Sequence, residues 1–183
     1  FNVPIPARDA TLMKRFKSTL LENSAIKSIS FSNSHPARSS NWGSAKAISK
    51  GAELKVETQM VVVDTSYAET YGLKLMAGSN LNLLDSSKNI LINEELAKQL
   101  NFNTPDEAIG KEVMFYYRKP NARFRISGVV KDYHYESFYT KIRPTILLQD
   151  PNRTRIAGIK IVTNSSSGDG NFKQIQDVLA YVR

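Results

Sequence analysis

The sequence predicts an α+β fold. Strand-like runs and short capped helices follow one another irregularly, with hairpins among them and no internal repeat. From Glu53, Leu54, Val56, Thr58 and Met60 alternate with charged or polar neighbours, the two-residue period of a strand. Helix starts are written in capping residues at Ser66-x-x-Glu69, at Asn93 and at Thr104-Pro105. A doubly wound parallel sheet would need regular alternation of strand and helix, which is missing.

The chain has 183 residues, 41% apolar and 23% charged, enough for a core and for one large or two small domains. No run approaches the ~18 apolar residues of a membrane span. It starts at Phe1 without a signal-peptide pattern, and it stops at Arg183 inside a helical stripe of Phe172, Ile175, Leu179 and Val182. The expectation is a piece of a longer protein. Lack of cysteine excludes disulfides, thiolate metal sites and cysteine nucleophiles. The net charge of +8 favours anionic partners. The basic residues are scattered, however. Their densest group, Arg118, Lys119, Arg123 and Arg125, surrounds a hairpin tip at Pro120-Asn121, so specific nucleic-acid recognition is not expected.

Taken in order, Pro4 and Pro6 mark an extended lead-in. A helix follows, capped by Asp9 or Thr11, with Leu12, Met13, Phe16, Leu20 and Leu21 as its apolar face and Asn23 as a left-handed stop. Ile26, Ile29 and Phe31 indicate a short strand. Ser32 to Gly51, with six serines, Pro36 and Gly43, reads as a long loop. Its Trp42 is a candidate partner-binding anchor, or else an aromatic plug tacking the loop to the core. The strand from Glu53 to Asp64 loses its alternation at Val61-Val62-Val63, which predicts burial on both faces.

Gly72 and Gly110 are expected to close the helices begun at Ser66 and Thr104 in left-handed conformations. Asn93 caps a helix over Glu94 to Leu100, whose acidic first turn suits the helix dipole. Strands are expected at Asn89 to Ile92, Glu112 to Tyr117, Phe124 to Val130, Thr145 to Gln149 and Ile156 to Thr163. A polar turn from Ser165 to Gly170 and a helix from Asn171 complete the chain.

Chemistry-bearing patterns are few. Asp132, His134 and Glu136 occupy alternate positions. Should the strand from Ile126 continue, they share one face, either as a metal or proton-transfer row or as a solvated strand face. The other histidine, His35, is far away in the serine-rich region. No Gly-x-Ser-x-Gly elbow and no nucleotide-binding Gly-x-x-x-x-Gly-Lys-Ser/Thr run is present. No catalytic residue, metal or cofactor is expected.

Three blocks carry a family resemblance. They are Val62-Val-Asp-Thr-Ser-Tyr-Ala-Glu-Thr-Tyr-Gly-Leu-Lys-Leu-Met-Ala-Gly78, Ile90-Leu-Ile-Asn-Glu-Glu-Leu-Ala-Lys-Gln-Leu100 with Ala108-Ile-Gly-Lys-Glu-Val113, and the stretch from Arg125 through Ile142-Arg-Pro-Thr to Leu148. In this order they resemble the periplasmic core domain of MacB/FtsX-type ABC-transporter permeases. The resemblance implies a porter-like α+β lobe, 1–64 plus 143–183, with a smaller α+β lobe inserted at 65–142. It implies an extracytoplasmic domain between two transmembrane helices of an inner-membrane permease. Such permeases work as dimers with a cytoplasmic ATPase and pass motion to a periplasmic or outer-membrane partner or to substrate. It implies no catalytic residues in this domain. Two other readings remain: a ligand-binding or sensory domain of a membrane receptor, marked by an apolar pocket with convergent polar groups, and a nucleic-acid-binding protein, marked by one continuous basic face.

Overall fold

The computed structural model describes residues 2–5, 10–34, 41–49, 51–82, 88–134 and 141–162. The polar turn and the helix expected after Thr163 lie outside these residues, as do His35, Glu136 and both chain ends. In chain order the elements are β1 (Asn2–Pro4), α1 (Ala10–Leu21), β2 (Ile26–Ser32), β3 (Asn41–Ser49), β4 (Ala52–Val63), α2 (Tyr67–Tyr71) and β5 (Leu75–Gly78). They continue with β6 (Asn89–Asn93), α3 (Glu94–Gln99), α4 (Pro105–Ala108), β7 (Glu112–Tyr117), β8 (Lys119–Val130), β9 (Thr145–Gln149), a 3-10 turn (Pro151–Arg153) and β10 (Ile156–Ile161). The α+β class stands.

Six strands pair in a closed circuit, β4-β3-β7-β8-β6-β9 and back to β4. The closing pair is parallel, with Gln59 opposite Thr145 and Val63 opposite Gln149. The result is a small barrel. From β4 the same sheet also continues through β2 and β10 to β1, and β5 pairs with β8. Inside the barrel, Ala45, Ala47, Val56, Ile90, Ile92 and Val113 meet Phe115, Phe124, Ile126, Ile146 and Leu148, with Leu96 and Leu100 of the α3 segment added. A cluster on the outside of β4 and β9 joins Val61, Val63 and Leu147 to Tyr67, Leu91 and Val130. The expected two-sided burial of Val61 to Val63 is therefore met, because β9 and β2 flank this end of β4 while the barrel core and the α2 layer cover its two faces. The third cluster packs α1 on β2 and β10.

Several local expectations are corrected. Ser32 to Gly51 is no continuous loop. Residues 41–49 form β3, a nine-residue partner of β4 running from Asn41↔Met60 to Ser49↔Ala52. Its inward residues are Ala45 and Ala47, both fully buried. Small side chains there leave room for the aromatic rings opposite but send no strand signal of their own. In α1 the buried stripe is Met13, Phe16 and Leu20, whereas Leu12 and Leu21 are 51% and 42% exposed. The helix rests on a narrow sheet, so the stripe is narrow too. Asn23 stops the helix without turning left-handed: its Oδ1 accepts from the Ala25 N–H at 2.9 Å, and its carbonyl accepts from the Ile26 N–H.

The helix punctuation is mostly as expected. Gly72 and Gly110 have φ of 68° and 79°, the left-handed region where a β-carbon is strained. Asn93 and Thr104 cap α3 and α4 through their side chains. Ser66 makes no side-chain cap. Its Oγ instead accepts from Lys17 Nζ of α1 at 2.6 Å, and the same ammonium is 3.0 Å from Asp64 Oδ2. A long-range cation has taken the acceptor that a local cap would use.

Burial holds the Asp64 carboxyl above its usual range, and Lys17 opposes that shift. The folded state therefore takes up this proton more readily than the unfolded chain. The stability contributed by this group rises as pH falls through the raised folded value toward the unfolded 3.8. Lys17→Met should cost about 1–3 kcal/mol at pH 7 by leaving a partly buried carboxylate without its cation. The cost should shrink as pH is lowered into the range where Asp64 becomes neutral. Urea unfolding at neutral and acidic pH checks this, and an equal cost at both would mean that the lysine contributes packing and not charge.

Candidate functional site

The second and third blocks of the family resemblance meet at one side chain, and the first is paired beside it. Asn93 ends β6 in extended conformation and is 1% exposed. Its Oδ1 accepts from the Leu96 N–H at 3.2 Å and from the Thr145 N–H at 2.8 Å. Its Nδ2 donates to Asp132 Oδ1 at 2.8 Å and to the Arg143 carbonyl at 2.9 Å. Two donors and two acceptor lone pairs are thus all engaged, the full capacity of an amide. The first block joins through β5, whose Leu75 lies opposite Val130 of β8, and through the Lys131 N–H donating to the Lys74 carbonyl. The second and third blocks are remote in sequence and share one clasp at one end of the barrel, with the first block paired to β8 next to it.

Asp132 belongs to this clasp and not to a strand face. β8 ends at Val130, so the strand does not continue through Asp132 and His134, and the shared face that a continued strand would have given them is absent. Asp132 Oδ1 also accepts from the Glu95 N–H at 2.9 Å, and the Asp132 N–H donates to Glu94 Oε2 at 2.9 Å. Partial burial, then the nearby Glu94 and Glu95, lift its carboxyl above the usual range, while the bonds from Glu95 and Asn93 pull it down. The carboxylate is spent on fastening α3 and β8 together. His134 lies exposed in the coil beyond. Among the described residues no three His, Asp or Glu side chains are grouped to hold a metal.

Trp42, expected in a loop as a candidate anchor, is instead the second residue of β3, opposite Gln59. It is 44% exposed, and the Arg143 guanidinium sits 4.3 Å from its ring centroid, a cation–π contact. Arg143 links the ring to the clasp, since its carbonyl accepts from Asn93. The indole is therefore held by a neighbouring cation while much of its surface faces solvent.

Sequence reasoning missed a second node at the opposite end of the barrel. Asp150, buried just past the end of β9, accepts from the Tyr117 hydroxyl, from Arg118 Nη2 at 2.6 Å and from the Asn152 N–H at 3.2 Å. Burial, then the bond to Asp150, pushes the Tyr117 phenol up to about 12. Asp150 also lifts Arg118, which therefore is no merely solvated tip charge. The signal available was Asp150-Pro151, an Asp before Pro of the kind that opens a turn. That signal names the turn but not the partners.

Among the described residues no helix is long and apolar enough to cross a membrane. No curated protein matches the chain. Solved structures with a similar fold do exist. The periplasmic region of MacB from Actinobacillus actinomycetemcomitans aligns with a TM-score of 0.56 at 19% identity, over 92% of this chain and 73% of that one. A domain of a putative permease protein from Porphyromonas gingivalis gives 0.56 at 17%, over 91% and 76%. The extracellular domain of the noncanonic ABC-type transporter YknZ from Gram-positive bacteria gives 0.58 at 10%, over 99% and 90%. At such identities the likeness speaks for the fold alone. Membership rests on the sequence, which matches the MacB-like periplasmic core domain family over residues 3–173, a span that contains the clasp and the whole barrel. This chain belongs to that family, the extracytoplasmic core domains of MacB/FtsX-like ABC-transporter permeases.

Proposed function

We propose that the domain is a non-catalytic coupling element, which carries ATP-driven movement of the permease's transmembrane helices to an extracytoplasmic partner or substrate. The observation that supports this most directly is the pairing of β1 with β10. Asn2 lies opposite Gly158 in antiparallel register, so the start of β1 and the end of β10 lie at the same end of the sheet. Movement delivered to both would act on one end of the sheet together. A densely packed interior passes a displacement on without absorbing it, and the continuous pairing from β1 to the barrel offers such a path.

In this reading the parent protein sits in the inner membrane as a homo- or heterodimer with a cytoplasmic ATPase and meets a periplasmic or outer-membrane partner. The porter-like lobe is 1–64 with 143–183 and the inserted lobe is 65–142. In its favour, the cluster around α1 draws only on segments of the first lobe, namely α1, β1, β2 and β10. Trp42, half-exposed beside Arg143, is the proposed partner contact.

The test uses the full-length transporter with flexible Gly-Ser segments of about ten residues inserted on both sides of the domain. Domain stability and ATP hydrolysis should persist while transport falls at least about tenfold, because a flexible chain of that length cannot transmit a directed push. Undiminished transport would remove the coupling role. Trp42→Ala should lower transport with little change in unfolding midpoint, and a variant as active as the parent would take the partner contact away from this residue.

A further inference from the structure

The two ends of the barrel differ. Where β6 ends, α3 turns back over the opening and, with Leu100 just after it, adds Leu96 and Ala97 to the interior cluster. At the other end, where β6 begins and β9 finishes, none of the described residues lining the opening belongs to an α-helix. A cavity of about 770 Å³ opens there, between the β7–β8 hairpin and the Gln149–Asn152 segment. That volume falls in the range of small-molecule sites, which are frequent in barrel mouths.

The wall and the rim have different chemistry. Phe124 is nearly buried on the cavity wall, beside Ala122 and Tyr117. Phe124 stacks on Phe115 at 4.3 Å and meets Tyr117 edge-on at 5.9 Å, so this aromatic surface is rigidly held. The rim carries Lys88, Arg118, Lys119 and Arg123. The carboxylate lining the cavity, Asp150, is occupied by Arg118 and Tyr117, and Arg123 pairs with Glu112 at 3.0 Å. Lys88 and Lys119 are exposed and have no ion pair among the described residues. Among the described residues neither ammonium is offset by a paired carboxylate. The hairpin tip holds Arg118 and Asn121 at φ of 61° and 51°. Left-handed backbone at a residue such as arginine persists only where surrounding structure imposes it, and ligand clamps are among the places where it collects.

We propose that this barrel mouth binds an organic anion, a phosphate or carboxylate head held at the rim by Lys88 and Lys119 with an apolar or aromatic body against Tyr117 and Phe124. Asp150 stays paired and leaves the field at the rim positive. The site is independent of the coupling role and goes beyond it.

Hexyl phosphate titrated calorimetrically into the 183-residue chain tests the proposal, with inorganic phosphate and hexanol as the two halves of the probe. Hexyl phosphate should bind at least about tenfold more tightly than either half, and its affinity should fall as salt rises. Lys88→Gln combined with Lys119→Gln should weaken it about tenfold, equivalent to ~1.4 kcal/mol, with an unchanged unfolding midpoint. Lys98→Gln combined with Lys111→Gln removes the same charge elsewhere and should leave binding intact. Equal binding of hexanol would reduce the site to an apolar hole, and equal binding of inorganic phosphate would reduce it to surface charge. Equal loss in both double variants would reduce it to overall attraction. Each of these outcomes, or no binding at all, overturns the proposal. Sedimentation with phosphatidylglycerol vesicles, abolished by the Lys88 and Lys119 changes, would assign the head to a lipid. Binding of hexyl phosphate without sedimentation would assign it to a soluble anion. Both support the same chemistry.

Discussion

Asn93→Ala should destabilise the domain by roughly 3–5 kcal/mol, far more than the ~1 kcal/mol of an ordinary lost helix cap. The side chain caps α3, but it also satisfies the Thr145 N–H and the Arg143 carbonyl and shares Asp132 with the Glu95 N–H. Removing it strands several buried groups at once, and each unsatisfied group costs about 1–3 kcal/mol, less than additively because they share one pocket. Asn93→Asp separates the roles. It keeps both acceptor bonds but sets a second carboxylate against Asp132, so its cost should fall as pH is lowered and the pair takes up a proton. Denaturant unfolding of both variants checks this, together with faster amide exchange at Thr145. A cost of no more than ~1 kcal/mol for Asn93→Ala would reduce the clasp to a simple cap.

Leu147→Ala and Leu148→Ala should each cost about 2–5 kcal/mol, the usual range for emptying a buried leucine site. They are neighbours on β9 and point to opposite faces. Leu148 enters the barrel and Leu147 enters the cluster with Tyr67 and Val130, and each is 1% exposed. On a strand with one wet face, one change would be severe and the other nearly silent. Comparable losses, with fully reversible unfolding, are the signature of a strand sealed between two cores. A near-neutral result at either position would contradict the closed circuit of pairings through β9.

These residues also mark how far local sequence reaches. Asn93, Thr104, Gly72 and Gly110 were legible because a cap bonds to a backbone group three or four residues away or needs one unusual dihedral, so the evidence is local. β7 and β9 were legible from apolar, β-branched and aromatic runs. β3 was not. Asn41 to Ser49 is serine- and alanine-rich, and it is a strand because β4 offers nine partners in register and the barrel needs small residues on that wall. Ser66 has the spacing of a capping box, yet Lys17, 49 residues earlier, claims its hydroxyl. Asp132 kept the alternation of a strand face, yet β8 ends at Val130, before reaching it. The family blocks were readable as words before their purpose was visible. The clasp gives the second and third blocks a common structural role.

The α+β class, the helix boundaries that carry caps, the doubly buried end of β4 and the family could all be read from the chain before folding. Each depends on periods, caps and motifs contained within a few consecutive residues. Other features exist only in three dimensions. β9 closes a barrel against β4, with Thr58 Oγ1 donating to the Pro144 carbonyl across 86 residues, and one barrel end is plugged while the other stands open beneath Lys88 and Lys119. The reason is physical. A strand's period states which residues face a core, but not which strand will lie beside it. That choice is made by hydrogen bonds and packing between segments whose sequences carry no mark of one another.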